Sequence, residues 1–186
     1  MTVGGATLLL SSHERWRGPG HNSVLTTDRG MWLVHHVYDA EQIDKGRVLQ
    51  IRPIYWDAAG WPVTGEPLPI ELKSEAGRVL YSTFTDGDDC LSKIPKNEIA
   101  AKDLVGPWRH SVDYGPSGQL RLEANGGIVS DRHAGRWSLD GARLTLRWTD
   151  PHAPGSEWVD NVWVEPGGRS YIGRNQGGAI IRGVRP

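Results

Sequence analysis

Residues 104–186 contain eight short runs of β-prone residues, and their even spacing constrains the fold more than any other feature of the chain. Turn sequences such as Asn125-Gly126, Asp140-Gly141 and Pro166-Gly167-Gly168 lie between the runs, and sequences of this kind form tight hairpins. Short strands joined by hairpins predict a closed or nearly closed antiparallel barrel. The predicted strands are Val105–Tyr114, Gln119–Glu123, Gly127–Asp131, Gly135–Leu139, Arg143–Trp148, Trp158–Glu165, Tyr171–Arg174 and Ala179–Val184.

Residues 1–64 form a second predicted β unit. Its turns are indicated by Asp28-Arg29-Gly30 and by residues 57–60, which are rich in turn-forming residues. Four strands in about fifty residues match the size of one propeller blade. The predicted strands are Ala6–Ser12, Ser23–Thr27, Met31–Tyr38 and Arg47–Tyr55.

Residues 65–103 are less regular and form a predicted connector. It contains two predicted strands, Leu68–Leu72 and Arg78–Thr85, and a short helix or linker over Pro95–Asp103. The sequence therefore predicts an all-β fold, with a four-stranded propeller-type blade over 1–64, a connector over 65–103 and a small lipocalin-like antiparallel barrel over 104–186.

Composition argues against several classes of function. The net charge is −1 at pH 7 and no basic stripe is present, so we expect no nucleic-acid partner. The best apolar run, Ala6–Leu10, is too short to span a membrane. Nine Trp and five Tyr against a single Phe suit stacking on sugars, although Trp also fills β cores.

Three motifs follow one another in the first unit. Gly18-Pro19-Gly20-His21-Asn22-Ser23-Val24 is followed by His36-Val37-Tyr38-Asp39-Ala40, and then by Ile51-Arg52-Pro53-Ile54-Tyr55-Trp56-Asp57 with Gly60-Trp61-Pro62. Together they resemble the last blade of the five-bladed propeller of family 43 glycoside hydrolases, specifically the endo-arabinanases. The opening Leu104-Val105-Gly106-Pro107-Trp108 resembles the entry of lipocalin-like barrels and of the C-terminal barrel domain of several endo-arabinanases.

The resemblance implies a metal-binding role for His21. In the family, the histidine of the matching Gly-His-Asn-Ser motif lies at the base of the active-site funnel and binds a calcium or similar cation, with waters in the other positions. Calcium prefers about six to eight oxygen ligands, so one imidazole does not make the site alone. The alternative for His21 is an ordinary turn residue.

Four further residues are predicted to contact the substrate. Asn22 and Ser23 are expected to orient the shell around His21, and they can equally satisfy strand ends. Arg17 and Arg52 are candidates for contacting sugar hydroxyls or a catalytic carboxylate, with salt bridges as their alternative role. A group of His and aromatic residues is expected to pack within the blade: His35, His36, Tyr55, Trp56 and Trp61.

Glycosidases of this family invert configuration, which requires a carboxylic acid and a carboxylate base about 6.5–9.5 Å apart. By resemblance, these carboxylates come from earlier blades, so we assign no catalytic residue in this chain. Glu14 is the carboxylate nearest to the expected funnel, and we do not expect it to be catalytic.

The expected activity is therefore that of an arabinan endo-1,5-α-L-arabinosidase of which this chain is one part. The expected ligand is arabinan or an arabino-oligosaccharide. Because one blade exposes sheet edges, a second chain is expected to supply the missing blades. Met1 is followed at once by Thr-Val-Gly-Gly, a pattern typical of the middle of a strand and turn, which indicates a fragment or a gene model that begins late. Residues 1–12 lack the features of a signal peptide, which leaves the localisation open. Two alternatives stay open: a non-catalytic carbohydrate-binding module, and a lipocalin-like binder of small ligands, which an apolar cavity in the barrel would favour.

Overall fold

Two antiparallel β structures account for most of the chain. The computed structural model describes residues 7–28, 30–68, 73–75, 78–80 and 99–186. They contain a four-stranded sheet, a two-stranded hairpin and a closed eight-stranded barrel. The predicted all-β fold class is confirmed.

The first sheet is a meander in which every strand pairs with its neighbour in sequence. Its strands are β1 (Trp16–Thr27), β2 (Gly30–Asp39), β3 (Arg47–Trp56) and β4 (Pro62–Thr64), in the order β1-β2-β3-β4. A 3₁₀ turn over Ile43–Lys45 joins β2 to β3. Asp57 closes the β3–β4 hairpin, because its Oδ1 accepts the N–H groups of Ala59 at 2.9 Å and Trp61 at 2.8 Å.

Two predicted boundaries in this unit were wrong. Residues 7–12 form no strand, and residue 6 lies outside the described residues. β1 begins at Trp16 instead of Ser23, because the Gly-Pro-Gly segment stays in the ladder with β2. The fourth strand is β4, whose three residues follow the predicted turn.

The connector is described only in part. It contains a hairpin of β5 (Lys73–Glu75) and β6 (Arg78–Leu80) and a short helix, α1 (Ala101–Leu104). The remainder of the predicted strands over 68–72 and 78–85, and the first half of the segment over 95–103, lie outside the described residues. None of the helices in the described part of the chain has the length and apolar character needed to cross a lipid bilayer.

All eight predicted barrel strands are present, with ends within about two residues of the expected ones. β14 returns to pair with β7, with Ile181 opposite Val112 and Val184 opposite Arg109, and this pairing closes the barrel. The strands are β7 (Gly106–Val112), β8 (Gly118–Leu122), β9 (Gly127–Ser130), β10 (Gly135–Asp140), β11 (Arg143–Thr149), β12 (Glu157–Val164), β13 (Ser170–Asn175) and β14 (Ile180–Val184).

Large apolar side chains fill the barrel. Trp108 and Tyr171 lie side by side with ring centroids 5.0 Å apart, and the Trp108 indole N–H donates to Leu104 O at 2.9 Å. Gly183 is needed for this arrangement, because a Cβ there would lie 2.0 Å from Cζ of Tyr171. The core residues around this pair are Leu104, Leu120, Leu122, Ile128, Leu144, Leu146, Val162, Val164 and Ile181.

The barrel packs against the end of the first sheet, and we call this contact the seam. Val63 of β4 packs with Ile172 and Ile180 of the barrel. Arg174 of β13 donates to Leu8 O at 2.9 Å and to Pro62 O at 3.1 Å. The seam therefore combines apolar packing with hydrogen bonds to backbone carbonyls of the first unit.

Candidate functional site

His21 lies in an irregular part of β1. The register with β2 shifts between Arg17 and Gly20 and again between Gly20 and Ser23, and such shifts mark β-bulges. The φ angle of His21 is 49°, which is uncommon for a residue with a side chain. Bulges re-aim side chains, and strained backbone often accompanies functional positions. The local geometry presents the His21 side chain on the surface of the sheet.

His36 of β2 is the nearest aromatic neighbour of His21 in the described structure. The two imidazole centroids are 5.4 Å apart. A Cβ at Gly20 would lie 3.4 Å from His36 Nε2. The glycine therefore leaves room for the His36 ring to lie beside the segment that carries His21. Burial, Arg47 and His21 each lower the pKa of His36. The His36 ring is therefore biased toward the neutral imidazole, the form that binds metals.

The predicted substrate-contacting residues fall in two different environments. Arg17, Asn22 and Ser23 lie on β1 and are exposed. The Arg17 guanidinium donates to Trp16 O at 3.2 Å. These three residues share a strand with His21, and their contact with a sugar stays a prediction.

Arg52 lies apart from that exposed group. It is 1% exposed and donates to Gln50 Oε1 at 3.1–3.2 Å and to Gly65 O at 2.9 Å. These contacts use all three of its nitrogen atoms. In the described structure Arg52 stabilises the buried face of the first sheet, and a sugar contact for it stays a prediction that no observation supports.

Within the described residues, His21 is the single candidate ligand of the predicted cation site. They contain no group of three or more His, Cys, Asp or Glu side chains that could hold a metal ion. A calcium ion prefers about six to eight oxygen ligands, and His21 offers one nitrogen. The donor set around His21 is thus too small to form a calcium site by itself.

Three carboxylates of the first unit are engaged in structural contacts. Glu14 accepts from the Arg182 guanidinium at 3.3 and 3.4 Å, which turns it toward the barrel. Asp39 forms a hydrogen-bonded ion pair with Arg15, and Asp57 closes its hairpin. Within the described residues, no contact brings any of these three carboxylates beside His21.

A buried charged cluster at the seam was not anticipated from the sequence. Arg182 of β14 donates to Glu66, and the backbone N–H of Glu66 donates to Glu165 at 2.9 and 3.1 Å. Burial raises the pKa of Glu66, but the hydrogen bond and charge of Arg182 outweigh it and leave that pKa below its usual value. Burial and the nearby Glu66 raise the pKa of Glu165 to about 7.

A second polar cluster lies inside the barrel. The Trp148 indole donates to Asp160 Oδ2 at 2.7 Å, and His110 Nε2 lies 3.8 Å from the same oxygen. His110 Nδ1 and the Tyr171 hydroxyl are 2.8 Å apart. Burial raises the pKa of Asp160 to about 6 and lowers that of His110 to about 4. No sequence signal marked either cluster, because their members are distant along the chain.

Comparison with known proteins decides the relationship of the first unit. Residues 4–62 match the profile of Glycosyl hydrolases family 43. A stretch of 66 residues is 41% identical to the extracellular exo-α-(1→5)-L-arabinofuranosidase ArbA of Cellvibrio japonicus. Residues 4–62 are therefore similar to the glycosyl hydrolases of family 43. A stretch of 62 residues is also 37% identical to the extracellular endo-α-(1→5)-L-arabinanase 1 of Bacillus subtilis.

The family 43 segment covers a small share of these relatives. The matches span 36% and 33% of this chain and 19% and 18% of the two relatives, so the chain matches about a fifth of their length. The residues matched by the family profile, 4–62, include the His21 motif and the β2–β3 hairpin, which confirms the resemblance derived from the motifs.

The similarity of fold extends through the barrel. The crystal structure of an endo-1,5-α-L-arabinanase from Thermotoga petrophila superposes with a TM-score of 0.61 and 14% identity, covering 92% of this chain and 36% of that one. A family 43 glycoside hydrolase from Bacillus licheniformis superposes with a TM-score of 0.55 over 91% of this chain. At such low identity the superpositions establish the fold alone, and they place a sheet and a barrel in the same combination.

Proposed function

We propose that this chain is part of a family 43 enzyme that hydrolyses α-1,5-linked arabinan. The observation that carries the proposal is the family 43 segment, which is 41% identical to an arabinofuranosidase and 37% identical to an arabinanase. The shared combination of sheet and barrel in an arabinanase structure supports it. The first sheet would present His21 to the sugar-binding side, and the barrel would stabilise that sheet through the seam.

Hydrolysis with inversion needs two carboxyl groups that are free to exchange protons with the substrate and water. Glu14 and Asp39 each contact an arginine side chain, and Asp57 accepts hydrogen bonds within the β3–β4 hairpin. We therefore propose that the acid and the base come from outside the described residues, for example from a second chain that supplies the missing blades.

Within this proposal, His21 provides one ligand to a calcium or similar ion whose other positions are filled by waters and by groups outside the described residues. Such an ion would organise polar groups near the sugar. The exposed Asn22 and Ser23 would contact the hydration shell or the sugar hydroxyls. The lowered pKa of His36 would keep that imidazole neutral beside His21.

The test is incubation of the purified chain with linear arabinan and calcium, with released reducing ends and retention in an arabinan affinity gel measured together. We expect retention without hydrolysis, and weaker retention for His21→Ala. His133→Ala is the matched control, since His133 lies on an exposed turn of the barrel. Hydrolysis that His21→Ala abolishes would place the acid and base within this chain. Absence of both retention and hydrolysis would contradict a sugar-directed role.

A non-catalytic carbohydrate-binding module is the second candidate, and one observation favours it. Trp56 and Trp61 were expected to pack within the blade, but they are 46% and 52% exposed at the β3–β4 hairpin. Exposed indole rings suit stacking on sugars. Retention that survives His21→Ala and is lost in Trp61→Ala would favour this function.

The barrel offers little support for a small-ligand binder of the lipocalin type. Its interior is occupied by the packed side chains around Trp108 and Tyr171, which are 1% and 0% exposed. Small barrels filled in this way are structural cores. An apolar cavity would have favoured this alternative, but packed side chains fill the interior of the described barrel.

A further inference from the structure

A bulge in β1 brings two imidazole rings together on one face of the first sheet. Gly20 is directly opposite His36, so in a regular strand the next residue, His21, would point to the other face. The register shift between Gly20 and Ser23 and the φ angle of 49° at His21 break this alternation. The His21 ring therefore lies beside the His36 ring, with the two ring centroids 5.4 Å apart.

The distance between the two rings suits a shared metal ion. A zinc ion bound by an imidazole nitrogen at about 2.1 Å lies about 3.2 Å from the ring centre, and two such rings at a tetrahedral angle have centres about 5.3 Å apart. The observed separation of 5.4 Å is close to this value. The ring planes are tilted by 35°, so the two rings are not stacked face to face.

The edge of the His36 ring that carries Nε2 faces the backbone just before His21. A Cβ at Gly20 would lie 3.4 Å from His36 Nε2 and 3.7 Å from its Cε1, and glycine places no side chain there. His36 is half-buried and His21 is exposed. Within the described residues, neither ring takes part in a hydrogen bond or an ion pair, so both rings have nitrogen atoms available as ligands.

We propose that His21 and His36 together bind one divalent ion of the class of Zn²⁺, Ni²⁺ and Cu²⁺, with water in the remaining positions. Neutral imidazole is the commonest metal ligand in proteins, and it suits these ions. The described residues contain no group of three His, Cys, Asp or Glu that could hold a metal ion, so water completes the shell. The inference rests on the proposed function, because it assigns a second ligand and a class of ion to the same site.

Calcium is the ion that the resemblance implies, and the pair of imidazoles suits it less well. Calcium takes oxygen ligands, many of them charged carboxylates. Within the described residues, Glu14, Asp39 and Asp57 are engaged elsewhere. The Arg47 guanidinium lies 5.7 Å from the Tyr38 ring centroid, and its Nε donates to the Tyr38 hydroxyl at 3.0 Å, at the end of the same strand pair. This positive charge opposes an ion held by charge alone more than one held by two nitrogen ligands.

The test is titration of the full chain, without an affinity tag or sugar, with Zn²⁺ alone and with Ca²⁺ alone. Isothermal titration calorimetry should give one bound equivalent of Zn²⁺ and no binding of Ca²⁺ at the same concentrations. In ¹H–¹⁵N spectra of protein labelled with ¹⁵N-histidine, Zn²⁺ should shift the ring resonances of His21 and His36. The exposed His133 and His152 should keep their resonances. These measurements use the unmodified protein.

Variants separate a shared ion from two independent histidines. His21→Gln and His36→Gln should each weaken Zn²⁺ binding by at least about tenfold. The loss in the double variant should be much smaller than the product of the two single losses, because removal of one ring already breaks the shared site. His133→Gln is the matched control and should bind Zn²⁺ as the wild type does. Far-UV circular dichroism checks that each variant keeps its β structure.

Three outcomes would overturn the proposal: no binding of Zn²⁺, binding that survives His36→Gln, or binding that shifts His133 or His152. Binding of Ca²⁺ that is lost in His21→Gln and unchanged in His36→Gln would also overturn it, and would leave His21 as a single ligand. The sugar is absent from these titrations, so they fail separately from the proposed function. Absence of arabinan retention by a chain that binds Zn²⁺ through both rings would contradict the proposed function alone.

Discussion

The first sheet and the barrel differ in how their edges are satisfied. Every barrel strand is hydrogen-bonded on both sides, because β14 pairs with β7. β1 pairs on one side only within the described residues, and it exposes Val24 and Leu25 at 55% and 36%. An unpaired edge is a template for another chain, whereas closure removes edges altogether. The open edge of β1 would allow another chain to pair with the first sheet.

The two regions also differ in what they bury. The barrel core is made mostly of large apolar side chains, and its buried polar groups, such as Asp160 and Trp148, are paired within the barrel. One face of the first sheet buries His35, Gln50 and Arg52, each of which must be paired to avoid a desolvation penalty. The barrel core is therefore satisfied within the barrel, whereas the first sheet relies in addition on contacts across the seam, such as Val63 with Ile172 and Ile180, and Glu66 with Arg182.

Arg182→Met should test this dependence with the largest effect. The change leaves Glu66 partly buried without its cation, and breaking such a pair costs about 3 kcal/mol of the free energy of unfolding. Arg121→Met is the control, because its ion pair with Glu123 is on the surface and should contribute less than about 1 kcal/mol. Urea unfolding followed by Trp fluorescence measures both. Equal small losses would show that the seam does not stabilise the first sheet.

Gly183→Ala should disturb the barrel core itself. The new Cβ would lie 2.0 Å from Cζ of Tyr171, and overpacking of this kind costs about 1–3 kcal/mol. Gly118→Ala meets no atom within 4 Å and should change the free energy of unfolding by less than about 0.5 kcal/mol. Thermal unfolding of the two variants checks the difference. A Gly183→Ala protein as stable as Gly118→Ala would contradict the tight packing described for the barrel.

Glu165→Gln should alter the pH dependence of stability. The pKa of Glu165 is about 7 in the folded protein, above its ordinary value of 4.5, so the folded state binds the proton more tightly than the unfolded state. This group therefore makes the free energy of unfolding fall as the pH rises from about 4.5 to about 7. The glutamine of the variant stays neutral at every pH. The free energy of unfolding of the variant should therefore rise relative to that of the wild type across that window, by on the order of 2 kcal/mol.

Urea unfolding at intervals between pH 4 and 8 measures the difference. Glu66 acts in the opposite direction, since its pKa is below the ordinary value and its contribution is lost as the pH falls. Comparing the two proteins at each pH cancels that contribution. A difference that is constant across the window would mean that Glu165 keeps its ordinary pKa.

Val24→Lys should have the smallest effect on stability and a selective effect on association. Val24 is 55% exposed on β1, so the free energy of unfolding should change by less than about 0.5 kcal/mol. A lysine on an open edge opposes pairing with another chain. Sedimentation velocity at high concentration should show less self-association than the wild type. Val129→Lys, at 58% exposure on the closed barrel, should show no such change.

Local sequence determined most of the strands. Alternating β-prone runs and the turn dipeptides between them are local signals, and all eight barrel strands and the β2–β3 hairpin were predicted from them. The motif around His21 was sufficient to indicate family 43, because it depends on consecutive residues. The barrel architecture followed from the number and spacing of strands, which leave few other arrangements.

The tertiary structure decided the features that depend on distant residues. β1 continues through Gly-Pro-Gly because β2 supplies the hydrogen bonds of the bulged segment, which no local propensity indicates. Arg52 is buried because Gly65 and Gln50 satisfy its guanidinium, and its contact with a sugar stays a prediction. The pairing of Glu66 with Arg182 joins residues 116 positions apart. Burial and charge pairing are properties of packed neighbours, and neighbours that far apart in sequence are brought together only by the fold.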